Sequence, residues 1–89
     1  MERYLSSASM FEPATYRISI LGTLEKKWSD YCGGMKIEYD ILLNQYPMTI
    51  LTGLLVDQAA LIGVINTLYD LSCPLLAVEC VEAQEPQRG

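Results

Sequence analysis

Eighty-nine residues with a formal net charge of −5, a hydrophobic fraction of 51% and no histidine describe a chain with room for one small core. The acidic balance removes the electrostatic attraction behind most non-specific nucleic-acid binding, and the six basic residues form no cluster for an anionic membrane surface. So small an interior does not hide so large an apolar fraction, and part of it is expected to face a partner.

Residues 1–15 mix Ser, Ala, Glu and Pro without a period and are expected to form a flexible N-terminal segment. Residues 16–24 (YRISILGTL) alternate, with Tyr16, Ile18 and Ile20 on one side and Arg17 and Ser19 on the other, the period of a half-buried strand. Gly22 is expected to bend it near its end. In residues 25–34 (EKKWSDYCGG), Leu24, Trp28 and Tyr31 stand four and three apart, so a short helical turn lays them on one side before Gly33 and Gly34 stop it. Residues 35–43 (MKIEYDILL) alternate again, with Met35, Ile37, Tyr39 and Ile41 opposite Lys36, Glu38 and Asp40. Turn residues at 44–47 (NQYP) lead into 48–55 (MTILTGLL), a strand apolar on both faces and therefore central or covered.

Asp57 stands at a helix N-cap position, and residues 58–71 contain no proline and many good helix formers. Ser72 and Pro74 end that helix, and residues 74–82 (PLLAVECVE) read as a fourth strand, followed by a polar tail at 83–89. On a helical projection Ala60, Leu61, Ile62, Val64, Ile65, Leu68, Tyr69 and Leu71 fill an arc of roughly 200°, about twice what packing on a sheet requires. Either a dimer mate or the Trp28 segment is expected to cover the surplus. The expected fold class is α+β: a single domain at residues 16–82 with a four-stranded, mainly antiparallel sheet and one long helix, related to ferredoxin-like folds.

The longest apolar stretch, residues 48–65, is interrupted by Asp57 and Gln58, whereas a membrane-spanning helix needs about 20 mostly apolar residues. The N-terminus has Arg3 but no apolar run behind it, so neither a span nor a secretory signal is expected, and the location expected is cytoplasmic. Cys32, Cys73 and Cys80 are odd in number and lack CxxC spacing, which argues against a disulfide framework or a zinc site. Cys73 and Cys80, at opposite ends of the last strand, read as small buried core residues.

A catalytic site needs a group titrating near neutrality or an activated nucleophile, and without histidine the one candidate is Cys32, beside Gly33 and Gly34 and close to Lys26 and Lys27. An incidental thiol is the plainer reading. Asp30, Glu38, Asp40, Asp57, Asp70, Glu79 and Glu82 are spread over different elements, and the glycines form no phosphate-binding loop. No catalytic residue, metal or cofactor is therefore assigned. For binding, the candidates are Trp28, Tyr31, Tyr69, Leu61 and Val64, aromatic and helical residues of the kind that anchor interfaces or line a small pocket. Trp28 either lids the core or anchors a partner.

The pattern YRISILGTL, WSDYCGGMKI and LTGLLVDQAALIGVINTLYDLSCPLLAVECV resembles a family of short bacterial proteins of unassigned function, common in cyanobacteria and other environmental bacteria. Its most specific parts are Gly34 after the Trp28 and Tyr31 pair and the DQAAL run at 57–61. The resemblance implies a stand-alone bacterial module and supplies no catalytic residues. At Ile62 this chain departs from the histidine or polar residue the family favours.

The expected function is protein–protein interaction or regulation by a homo-oligomer, a homodimer above all, with another protein as a further partner. A small-molecule-sensing domain of the ACT type, with a pocket formed by Trp28, Tyr31 and Tyr69, is the alternative. A small dimeric α+β enzyme using Asp57, Tyr69 or Cys32 as proton carriers ranks behind both.

Overall fold

A computed structural model describes residues 12–83, with side chains described to residue 81. The expected flexibility of residues 1–15 and 83–89 falls almost wholly outside that range. Where the two meet, strand β1 (Ala14–Leu21) begins earlier than the alternation suggests, and the last strand continues to Ala83.

After β1 come a 3₁₀ helix (Lys26–Cys32), β2 (Lys36–Leu42), β3 (Tyr46–Leu55), the helix α1 (Gln58–Asp70) and β4 (Leu75–Ala83). The sheet order is β2-β3-β1-β4 and every neighbouring pair is antiparallel. This is the α+β architecture expected, with the split-βαβ strand order of ferredoxin-like folds and its first crossover helix reduced to the 3₁₀ segment. The central placement of β3 explains its apolar residues on both faces. Pro47, expected in the turn, lies inside β3, and the tight turn instead uses Leu43 and Asn44, both at positive φ.

One face of the sheet carries the core. Tyr16, Ile18 and Ile20 of β1, Ile37 of β2 and Leu51 and Leu55 of β3 are buried there with Leu24, Cys32, Met35, Val64 and Leu68. The crossover from β1 is fixed by Thr49, a fully buried polar residue. Its hydroxyl donates to the Gly22 carbonyl (2.7 Å) and accepts from the Leu24 amide (3.0 Å), while the Tyr39 hydroxyl donates to the Leu24 carbonyl (2.8 Å). Gly22 takes φ +98°, the bend expected of it.

Helix α1 starts as expected: the Asp57 carboxylate accepts from the Ala60 amide at 2.9 Å, satisfying a backbone donor the first turn leaves free. It ends in a Schellman motif, with Ser72 at φ +61°, its amide donating to the Tyr69 carbonyl (2.9 Å) and the Cys73 amide to the Leu68 carbonyl (2.9 Å).

The helix packs beside the 3₁₀ segment and over β3, and its first residue, Gln58, approaches Tyr16 of β1. A helix is about 10 Å wide and strands lie about 4.8 Å apart, so one helix covers about two strands. The 3₁₀ segment lies beside α1, where Gly33 meets Leu55 of β3 and Val64 of α1. The helix-facing side of the edge strand β4 is left exposed.

Candidate functional site

The candidate binding residues divide. Val64 is only 3% exposed and belongs to the core, so it cannot serve as a surface contact. It sits towards the Ala60 and Leu71 side of the apolar arc, the part that faces the sheet. Leu61 and Trp28 are half-buried and packed against the same core. Tyr31 and Tyr69 are exposed, at 68% and 79%. The turn therefore does not lay Leu24, Trp28 and Tyr31 on one buried side: Leu24 and Trp28 turn inward and Tyr31 outward.

Trp28 acts as a lid whose edge still meets solvent. Its ring lies 5.4 Å from that of Tyr31 at a 56° tilt, and the Lys27 ammonium stands 5.7 Å from its centroid. Lys27, Trp28, Asp30 and Tyr31 line one open hollow; Tyr69 lines another, with Asp70, Ser72, Cys73 and Pro74. Among the described residues, Trp28 and Tyr31 thus share one hollow and Tyr69 lines a different one.

The cysteines correct two expectations. Cys80 is exposed and Cys73 half-buried, so neither is a fully buried core thiol; Cys32 alone is. Burial, with Cys73 nearby acting in the same direction, pushes the Cys32 thiol above its ordinary pKa. That is the reverse of the activation a nucleophile needs. Burial also raises the pKa of Tyr16, with Cys80 adding to the rise and a Gln58 hydrogen bond opposing it.

The surface that does emerge includes Tyr69 and part of the surplus helix arc, but its β4 residues were not singled out in the sequence. Gln58, Ile62, Ile65 and Tyr69 stand four, three and four residues apart, which makes them one stripe along α1. Gln58 reaches the Tyr16 side chain on β1, and Tyr16 pairs with Cys80 on β4. The stripe therefore lies on the β4 side of the helix. Val78 pairs with Ile18 and Cys80 with Tyr16, so both point to the helix-covered face, and Leu76 follows by alternation.

The result is an apolar ledge. Its floor is Leu76, Val78 and Cys80; its wall is Ile62, Ile65 and Tyr69. Ile62 is 55% exposed and Val78 41%. On the opposite face of β4, Glu79 accepts a 2.8 Å hydrogen bond from the Arg17 guanidinium, an ion pair exposed enough that it adds little to stability. The other edge strand, β2, carries exposed Lys36, Glu38 and Asp40, charges that discourage strand addition.

Among the described residues no helix is long and apolar enough to cross a membrane. No curated protein and no solved structure matches the chain. Residues 15–79, which span β1, the 3₁₀ crossover, β2, β3, α1 and the first part of β4, match the model of a family described as Domain of unknown function (DUF8691), and the chain belongs to that family.

Proposed function

We propose that this protein is a protein–protein interaction or regulatory module that acts as a homo-oligomer and is not an enzyme. The observation that carries the reading is the apolar ledge between α1 and β4. Water-exposed apolar side chains gathered along one edge strand and the helix flank on the same side, on a chain that has already buried a core, favour association. The raised Cys32 pKa and the absence of histidine support a non-catalytic role. The acidic net charge favours a protein partner over nucleic acid or an anionic membrane. The resemblance to short bacterial proteins supports a bacterial cytoplasmic setting.

The test is the solution mass by light scattering over a range of concentrations. The expected result is a mass near that of two chains, falling towards one on dilution. A mass of one chain at every concentration would overturn the reading.

A further inference from the structure

We infer that the partner seated on the ledge is a second copy of this chain, joined by antiparallel pairing of β4 with its counterpart about a two-fold axis at Val78, so that the two sheets become one. The inference rests on the homo-oligomer reading above and adds the surface, the partner and the register.

The two edges of the sheet differ. The β2 edge alternates the charged Lys36, Glu38 and Asp40 with exposed Tyr39 and Ile41, whereas β4 exposes Leu75, Leu76, Val78, Cys80 and Val81 with Glu79 alone as a charge among residues 75–81. Among the described residues, β4 pairs only with β1, which leaves the hydrogen-bonding groups on its outer side free for another strand. A long, largely apolar edge whose exposed Glu79 is already held by Arg17 is the type of surface that adds a strand.

The register follows from three constraints. Pairing of β4 with β1 is irregular near Leu75 and near Val81, so residues 76–80 are the straight segment available for a new ladder. A two-fold axis perpendicular to the sheet keeps like faces together, so helix-facing residues must pair with helix-facing residues. Of the registers that satisfy this, one centred on Val78 uses the whole straight segment. It sets Val78 opposite Val78 of the second copy, Leu76 opposite Cys80, and Ala77 opposite Glu79. Centring on Glu79 would instead place two carboxylates directly opposite each other. In the Val78 register each Glu79 keeps its own Arg17 and meets a small, neutral neighbour.

The same arrangement closes the ledge. Both copies of α1 lie on one face of the joined sheet, with the two β4 strands as a floor between them. The Ile62, Ile65 and Tyr69 stripes of the two helices then face each other across that floor.

Size limits the strength. A strand edge of nine residues is about 30 Å long, and a strip that includes the sheet edge and the helix flank covers roughly 600 Å² per copy. Stable interfaces use about 800 Å² per partner, so dissociation on dilution within an accessible concentration range is expected.

The test places opposite charges on the proposed axis. Val78 is exposed, so Val78→Lys and Val78→Glu leave the core intact, which circular dichroism verifies. In each variant a charge would face its own copy inside an apolar seam, and dimerisation is expected to weaken at least about tenfold. An equimolar mixture of the two sets Lys against Glu and is expected to restore the dimer mass. If the wild type is dimeric and both variants keep its mass, the β4 edge is not the seam and this inference fails while the homo-oligomer reading stands. If both variants are monomeric and their mixture remains so, Val78 does not face itself and the register is wrong. A monomeric wild type would overturn the broader reading as well.

Discussion

Replacing Thr49 with Val is expected to destabilise the protein by about 3 kcal/mol, because it strands the Gly22 carbonyl and the Leu24 amide in a buried site while leaving side-chain volume almost unchanged. For a domain of this size that corresponds to a fall of about 15 °C in melting temperature, or more. Thr49→Ser keeps the hydroxyl and loses one methyl, and should cost about 1 kcal/mol. Thermal melts of the two variants separate the hydrogen bonds from the packing. Equal losses would show that the hydroxyl contributes no more than the methyl group. The consequence reaches the surface, because Thr49 ties down the crossover leading to Trp28 and Tyr31.

Gly33→Ala is the second large effect, again about 3 kcal/mol, against about 1 kcal/mol for Gly34→Ala one residue on. Both glycines take positive φ, +67° and +70°, so both substitutions carry the strain of a left-handed conformation. They differ in their surroundings. A Cβ at Gly33 would lie 2.8 Å from Leu55 Cδ2 and 3.3 Å from Val64 Cγ2, whereas one at Gly34 meets nothing within 4 Å. Leu55 and Val64 are buried, so neither side chain has free space to move into. Chemical denaturation of the two variants measures the difference directly. Equal destabilisation would mean that the 3₁₀ segment does not press on the helix.

Local features were legible in the sequence where chemistry acts at short range. The alternation of Tyr16, Ile18 and Ile20 and the capping carboxylate of Asp57 each needed only neighbouring residues to be read. The apolar faces of β3 pointed to a central strand for the same reason. What escaped depends on what covers a residue. Val78 and Cys80 look like core in the run LLAVEC, yet they lie on an edge strand that no helix covers and are exposed. The projection of α1 carried a similar ambiguity. A wide apolar arc says that something covers it, yet not which part, so Val64 towards one side of it and Tyr69 towards the other read alike. The structure resolves half of that arc with the sheet and the 3₁₀ segment and leaves the Ile62–Tyr69 flank open. Leu43 at positive φ carried no signal, since the turn chemistry of the neighbouring Asn44 and Pro47 pointed one or two residues further along.

The two sheet edges are expected to behave differently, with β4 taken up by a second copy and β2 left to solvent. Amide hydrogen exchange at low and high protein concentration reads this most directly, residue by residue. In residues 76–80, the outward-pointing amides are expected to exchange freely at the lower concentration and to gain protection at the higher one, while those of β2 remain unchanged. Exchange in β4 that is independent of concentration, or protection gained along β2 instead, would contradict the account.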